Sequence, residues 1–168
     1  MKLRLGCIVC ASAGPSAGSV NSVRGTIDAF IDAMKTIPTI AKYMSTSPHS
    51  VGPDQPLTVV HKMMRDHEIR HLPVLQGGKL VGMLTHRDLA IVETLRDVNP
   101  KSTKVEDAMS TAVYAVSPDA PLDEVCDEMA THKYGSCVVL QNSHVVGIFT
   151  TVDVCRAMHA LLHGRLAN

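Results

Sequence analysis

The chain contains an internal repeat. When the sequence is shifted by 65 residues, Met44–Leu89 lies over Met109–Val154 without a gap, and 18 of the 46 matched positions are identical. Ordinary residue frequencies give about three identities by chance over this length. A repeat of this size indicates two copies of one supersecondary unit. One copy is too small to bury both faces of a sheet, so we expect the two copies to share a core.

Each copy has the same order of predicted elements. A helix over 56–68 or 121–133 has Asp54 or Asp119 as its N-cap, and the proline two residues later suits its first turn. Two short strands joined by a tight turn follow, and a second helix begins near Thr85 or Thr150. The predicted strands are His71–Gln76, Leu80–Leu84, Ser136–Gln141 and Val145–Phe149, the turns are Gly77-Gly78 and Asn142-Ser143, and extended pieces lie near 48–51 and 113–116.

This order predicts an α+β fold of two tandem β-α-β-β-α repeats. The simplest arrangement is pseudo-two-fold, with sheet against sheet and equivalent clefts between the repeats. A helix is also predicted over 25–37, where apolar residues recur at helical spacing and Pro38 ends the pattern. The expected segments are a flexible lead at 1–23, an amphipathic helix and linker at 24–39, repeat 1 at 40–98, a linker at 99–104, repeat 2 at 105–163 and a tail at 164–168.

Composition excludes several classes of partner. Lys plus Arg and Asp plus Glu both total 16, so no broad positive field is available to hold a nucleic-acid backbone. No apolar run reaches the length of a transmembrane helix, so we expect no membrane partner. The five cysteines are odd in number and lack the spacing of a disulfide framework. This usage indicates a reducing compartment, and we expect a cytoplasmic protein.

A Gly-x-x-Thr-x-x-Asp segment stands at the strand-to-helix junction of both copies, from Gly82 to Asp88 and from Gly147 to Asp153. Threonine followed three residues later by an acid is a capping box, which satisfies free N–H groups of the first turn. The same helix N-terminus also suits a phosphate. An aspartate there accepts hydrogen bonds from two ribose hydroxyls, and the glycines leave room for a ligand against the strand. The two interpretations are compatible.

Taken in order, these segments resemble the CBS-domain pair, or Bateman module, named after cystathionine beta-synthase. The resemblance covers about 40–163. The matching segments are Met44–Thr46, Pro53–Leu57, Arg70–Val74 and Gly82–Asp88 in the first copy, and Asp107–Ser110, Ser117–Leu122, Val138–Leu140 and Gly147–Asp153 in the second.

The resemblance implies a regulatory sensor rather than an enzyme. Its ligand would be an adenine nucleotide of the AMP, ADP, ATP, NAD or S-adenosylmethionine class, bound between the repeats, with no cofactor required. It also implies a homodimer formed through helices and an effector protein that the sequence does not name.

The resemblance further implies a set of ligand-binding residues. Thr85, Asp88, Thr150 and Asp153 would hold phosphate or ribose, and Met83 and Ile148 would contact adenine. The stretches 45–50 and 110–115, which begin at Ser45 and Ser110, would line the clefts, and Arg70 and His71 would reach phosphate. His86 and Arg87 complete the predicted set.

The two copies differ in their basic residues, because Gly135, Ser136, Thr151 and Val152 stand where the first copy has Arg70, His71, His86 and Arg87. All of the basic groups are therefore expected from the first repeat. An added phosphate needs charged donors in a partly desolvated pocket. We expect one tighter cleft that prefers phosphorylated adenosine and one weak or empty cleft.

Two other functions compete with nucleotide sensing. One is a scaffold or protein-interaction module whose clefts bind no ligand. The other is a redox- or metal-responsive regulator using Cys7-x-x-Cys10 or the Cys155, His159 and His163 face of the last helix. No nucleophile elbow or metalloenzyme helix is present, and we predict neither catalytic nor metal-binding residues. Residues 1–23 are expected to lie outside the nucleotide site.

Overall fold

The computed structural model describes residues 37–96 and 98–166, with side chains through Gly164. The lead at 1–23, the body of the predicted helix at 25–37, and Cys7 and Cys10 lie outside the described residues. None of the described helices is both long and apolar enough to cross a membrane. The helices and strands are β1 (Ser45–Thr46), α1 (Leu57–Asp66), β2 (His71–Gln76), β3 (Lys79–Thr85), α2 (His86–Glu93), β4 (Ala115–Val116), α3 (Leu122–His132), β5 (Ser136–Gln141), β6 (His144–Thr150) and α4 (Thr151–Leu166).

The predicted elements agree closely with those of the structure. β2 and β5 have the predicted bounds, and β3 and β6 extend one residue further at each end. Both hairpin turns have two residues of positive φ, at Gly77 and Gly78 and at Asn142 and Ser143. This is the backbone of a two-residue type I′ hairpin, which twists in the same sense as its strands.

Pairing between strands shows the pseudo-two-fold arrangement. β1 is antiparallel to β6, and the matching residue Ser110 forms the equivalent bridge to Met83 on β3. β4 runs parallel to β5, and Val51 forms the equivalent parallel bridge to Val74 on β2. The α+β fold of two tandem repeats is therefore confirmed.

The repeats exchange the segments that lead into them. Ile40 donates its backbone N–H to the carbonyl of Ala120 and is fully buried in the core of the second repeat. Val105 donates to the carbonyl of Gln55 and is fully buried in the core of the first. Each core therefore needs chain that precedes the other repeat, which ties the two repeats into one folding unit.

The predicted N-cap at Asp54 is wrong by two residues. The N-cap is Pro56, and Leu57 is the first residue of α1. The N–H of Leu57 donates to the carbonyl of Thr103 at 3.0 Å, so the linker between the repeats satisfies a group that a capping side chain would otherwise take. The predicted N-cap at Asp119 is wrong for the same reason. The N-cap is Pro121, and the N–H of Leu122, the first residue of α3, donates to the carbonyl of Pro38.

Three apolar clusters form the core. One lies within each repeat, between the hairpin and its helices. The third joins the repeats, where Met83 of β3 packs with Val138 of β5 and Ile148 of β6. Sheet-to-sheet contact at this cluster brings the ends of β2 and β3 beside the second repeat, and a cleft opens there.

Candidate functional site

A cleft of about 510 Å³ lies between the two repeats. Both copies supply its walls, and it contains eight of the twelve predicted ligand-binding residues: Arg70, His71, Met83, Thr85, His86, Arg87, Asp88 and Ser110. The other four predicted residues, Thr150, Asp153, Ile148 and Ser45, are not among its lining residues. Most of the predicted ligand-binding residues therefore lie in one of the two expected clefts.

Asp88 stands in the first turn of α2, beside its N-cap Thr85. Its Oδ2 accepts hydrogen bonds from Thr85 N at 2.9 Å and from Thr85 Oγ1 at 2.7 Å. Thr85 Oγ1 in turn accepts from Asp88 N at 3.2 Å, which completes the predicted capping box. Asp88 Oδ1 has no hydrogen-bond partner among the described residues, so this oxygen is available to a ligand. The hydroxyl proton of Thr85 is committed to Asp88, which leaves Thr85 to accept rather than donate.

Basic side chains line the same cleft as this carboxylate. Arg70, His86 and Arg87 of the first repeat line the cleft, as predicted, and all three side chains are exposed. Lys133 of the second repeat lines it too. The expectation that every basic group comes from the first repeat is therefore wrong, because the left-handed C-cap of α3 places Lys133 at the opposite wall. The arrangement suits an anion held between the repeats.

His71 contacts the other repeat directly. A Cβ at Gly135 would lie 3.0 Å from His71 Nε2, so the glycine makes room for the imidazole. Burial lowers the pKa of His71 below its usual value of 6.5; the nearby charge of Arg70 lowers it further, whereas Asp88 acts in the opposite direction. His71 is consequently neutral at pH 7.

This lowered pKa makes stability depend on pH. The unfolded chain takes up a proton at His71 near pH 6.5, whereas the folded chain does so only at lower pH. Protonation of His71 therefore favours the unfolded chain. The free energy of unfolding is not reduced by His71 above about pH 6.5, and it falls as the pH drops below that value. We expect the free energy of unfolding, measured by urea titration, to fall less between about pH 7 and pH 5 in a His71→Gln variant than in the wild type. Parallel curves would contradict this assignment.

Met83 and Ser110 form the floor of the cleft. Their backbones exchange two hydrogen bonds of 2.9 Å, from Met83 N to Ser110 O and from Ser110 N to Met83 O. Met83 is 6% exposed and belongs to the cluster that joins the repeats. Its thioether offers a soft apolar surface of the kind that suits a flat ring.

The glycines of the Gly-x-x-Thr segments serve packing rather than a ligand. A Cβ at Gly82 would lie 2.5 Å from Met109 Sδ and 3.0 Å from Ser110 O. At Gly147 the corresponding contacts are Met44 Sδ at 2.5 Å and Ser45 O at 3.2 Å. The expectation that these glycines admit a ligand is wrong, because the exchanged segment of the other repeat fills the space.

The second copy differs from the first at its aspartate. Asp153 is only 3% exposed, and its Oδ2 accepts from Thr150 N at 2.9 Å and Thr150 Oγ1 at 2.8 Å. Its Oδ1 accepts from Arg156 Nη1 at 3.1 Å. Ile91 stands at the position of the first copy that matches Arg156 and offers no such donor. Both oxygens of Asp153 are therefore bonded within the protein, unlike those of Asp88.

Ile148 and Ser45 lie together in the second copy. Ile148 is 8% exposed in the cluster that joins the repeats, and Ser45 pairs with it across β1 and β6. They are thus the structural counterparts of Met83 and Ser110.

Sequence reasoning missed Lys133 and Tyr134 of the cleft, and it assigned no role to Tyr114, which lies in the stretch 110–115 that was expected to line a cleft. All three belong to the second repeat and fall outside the motifs that define the resemblance. A signal was available in the alignment of the two copies, where His49, Glu68 and Ile69 stand at the matching positions. These differences change an aromatic group and a charge at the wall of one cleft.

The described residues give the metal alternative no site. No group of three histidine, cysteine or acidic side chains within 37–96 and 98–164 is placed to hold an ion. The rings of His159 and His163 lie 4.3 Å apart, and Cys155 is a free, exposed thiol on the same helix. The other alternative site, Cys7-x-x-Cys10, lies outside the described residues.

Comparison with known proteins identifies the family. The CBS domain model matches residues 40–93 and 105–160. The CBS domain-containing protein YhcV of Bacillus subtilis is 30% identical over 111 residues, which cover 66% of this chain and 79% of YhcV.

Solved structures agree with this assignment. A putative acetoin utilization protein from Vibrio cholerae superposes with a TM-score of 0.73 and 27% identity, covering 79% of this chain and 98% of that one. The CBS domain pair of protein MJ0100, solved with 5-methylthioadenosine and S-adenosyl-L-methionine, superposes with a TM-score of 0.66 and 26% identity, covering 74% and 98%. With two family matches in tandem and this fold, the chain belongs to the CBS domain family and carries a CBS domain pair.

Proposed function

We propose that this chain is a regulatory module that binds a 5′-phosphorylated adenosine in the cleft between its two CBS domains. The observation that carries the proposal is Asp88 Oδ1, an acceptor without a partner among the described residues at the N-terminus of α2. A carboxylate with one free oxygen binds ribose hydroxyls. Cations on both walls of the cleft suit the phosphate.

A relative supports the nature of the ligand. Both small molecules in the MJ0100 complex contain adenosine. Neither carries a phosphate, whereas the cleft of this chain has Arg70, Arg87 and Lys133 along its walls. We therefore place AMP, ADP and ATP ahead of S-adenosylmethionine as the ligand, and NAD with them as a larger member of the phosphorylated class.

Regulation rather than catalysis is part of the proposal. The cleft holds no paired nucleophile and base, and Asp88, its only carboxylate among the lining residues, is held in a cap. The nucleotide would act as a regulatory ligand, and a change in the module would pass to an effector protein. A cytoplasmic location fits the three free cysteines of the described residues, Cys126, Cys137 and Cys155.

Identification of the bound molecule tests this function. The protein would be purified without added nucleotide and denatured, and the released small molecules would be identified by mass spectrometry. The wild type should also melt at a higher temperature with AMP, ADP or ATP than without, because a ligand that binds only the folded state stabilises it. No adenine compound in the extract, together with unchanged melting at millimolar nucleotide, would contradict the proposal.

The phosphate preference gives a prediction for Arg70. In an Arg70→Ala variant we expect AMP to bind about fivefold more weakly, and adenosine to bind within about twofold of the wild type. This fivefold loss corresponds to about 1 kcal/mol of binding free energy. The loss is small because Arg70 is exposed, and solvent screens an ion pair there. Calorimetric titrations with both ligands measure the difference. An equal loss for AMP and adenosine would place Arg70 away from the phosphate.

A homodimer is also proposed, with a second copy on the exposed face of α4. Met158, Leu161 and Leu162 fall on one stripe of this helix, and Met158 is 58% and Leu162 50% exposed. Ile91 on α2 is exposed to a similar degree. An apolar stripe of this kind is the face that packs in helix-to-helix association.

Charge on that stripe should break the dimer. We expect a Leu162→Glu variant to dissociate at least tenfold more readily in sedimentation experiments, because a buried carboxylate without a partner is costly. Ala160→Glu is the matched control, since Ala160 is exposed on the opposite side of α4. Equal dissociation of the two variants and the wild type would show that this face is not the interface.

A further inference from the structure

Three aromatic rings form a ladder along the second-repeat side of the cleft. Tyr134 stacks on His132 with 5.3 Å between ring centroids and 14° between planes. Tyr114 stacks on Tyr134 with 5.3 Å and 23°. Tyr114 and Tyr134 line the cleft, whereas His132 is not among its lining residues. The ladder therefore enters the cleft and ends there at Tyr114, on which no further described ring stacks.

The surroundings of Tyr114 suit an aromatic ligand. The ring is half-buried and packs against the core of the second repeat, which holds it in place. Burial raises the pKa of its phenol above the ordinary value of 10.0, so the ring stays neutral. Val113 and Met83 supply apolar surface in the same cleft. A flat base placed against Tyr114 would continue a stack that the protein has already begun.

The first copy lacks this ladder. His49 stands at the position of Tyr114, Ile69 at that of Tyr134, and Glu68 at that of Lys133. His49 stacks on His67, so a two-ring remnant persists there without a ring at the third position. Glu68 and Lys133 share the same left-handed backbone conformation, which makes the change one of charge rather than of geometry. The stacking wall and its neighbouring cation therefore belong to one cleft.

We propose that Tyr114 and Tyr134 form the base-stacking wall of the nucleotide site, with the base on Tyr114, Tyr134 supporting it, and the ribose on Asp88 across the cleft. This inference rests on the proposed nucleotide function and adds the residues that hold the base. Stacking acts through the face of the ring and tolerates different bases. The choice of adenine would then depend on other groups of the cleft, while Tyr114 supplies affinity.

Tyrosine fluorescence reports this contact without any change to the cleft. The chain has no tryptophan and three tyrosines, two of which line the cleft. A Tyr43→Phe background leaves only the two cleft tyrosines as emitters. Saturating AMP should quench most of their emission, whereas ribose 5-phosphate, which has no base, should quench little.

Two substitutions test the energetics. Tyr114→Leu should weaken AMP binding about tenfold or more, the effect of losing one stacked base, while Tyr114→Phe should bind within about twofold of the wild type. Tyr134→Ile, which installs the residue of the first copy at an exposed position, keeps the test valid if Tyr114→Leu fails to fold. It should weaken AMP binding at least threefold. Ribose 5-phosphate should bind equally to all of these proteins.

The outcomes separate this inference from the proposed function. If AMP binds the wild type in an Asp88-dependent way but neither quenches tyrosine emission nor binds Tyr114→Leu and Tyr134→Ile more weakly, the stacking wall is wrong and the nucleotide function stands. If AMP, ADP and ATP do not bind the wild type at all, the proposed function fails and this inference fails with it. Quenching together with weaker binding in the leucine and isoleucine variants supports it.

Discussion

Replacement of Asp88 by alanine is expected to weaken AMP binding by about 1.5–3 kcal/mol, or roughly 10- to 150-fold, because a charged hydrogen-bond acceptor is lost. The free oxygen of this carboxylate is the group that we assign to the ribose. The variant also loses the acceptor of Thr85 N and Oγ1, so its stability should fall by about 1 kcal/mol. Calorimetric titration of AMP into the folded variant measures the loss.

Asp88→Asn refines this test. Asparagine has a similar shape and keeps one oxygen, but it has no charge and offers the ligand an amide group or a weaker acceptor. We expect it to cap α2 well and still bind AMP several-fold more weakly than the wild type. Unchanged AMP affinity in both Asp88 variants would remove the ribose role from this residue.

The matching substitution in the second copy should have the opposite profile. Asp153→Ala is expected to lower the free energy of unfolding by about 1.5–3 kcal/mol, because three donors of Thr150 and Arg156 lose their buried acceptor. AMP affinity should change by less than about twofold, since both oxygens of Asp153 are already bonded within the protein. Urea titration and calorimetry on the same protein separate the two effects.

Arg156→Ala provides the control for this second prediction. The Arg156 side chain is 71% exposed, so its loss should cost no more than about 1 kcal/mol of the free energy of unfolding. The result that would contradict the prediction concerns Asp153→Ala. If this variant kept its stability but lost its AMP affinity, the nucleotide would be bound by Asp153 of the second copy rather than by Asp88 of the first.

Local patterns were sufficient to predict most of the secondary structure. The capping box of Thr85 and Asp88 depends on residues three apart, and the left-handed turn at Gly77 and Gly78 on adjacent ones, so both are visible in the sequence. The starts of α1 and α3 were misplaced because their first N–H groups bond to distant carbonyls. Leu57 pairs with Thr103, some 46 residues further along the chain, and no local signal marks this contact.

In the candidate site too, residues in local motifs were predicted, whereas residues placed by long-range packing were not. Residues within the repeated motifs, such as Asp88 and Arg70, were predicted and line the cleft. Lys133 and Tyr134 were missed because they reach it only through the pseudo-two-fold packing of the second repeat against the first. Tyr114 lies in the predicted cleft-lining stretch 110–115, but the motifs gave its ring no role. The hydrogen bond from Arg156 to Asp153 was not predicted either, because the motif has the same threonine and aspartate in both copies and does not include Arg156.

The central claim is that one cleft of this CBS domain pair binds a phosphorylated adenosine. Isothermal titration of AMP into nucleotide-free wild-type protein, followed by adenosine under the same conditions, tests it most directly. We predict about one AMP bound per chain, with adenosine bound more weakly at the same site. No heat of binding with AMP, or two equal sites per chain that do not distinguish AMP from adenosine, would contradict it.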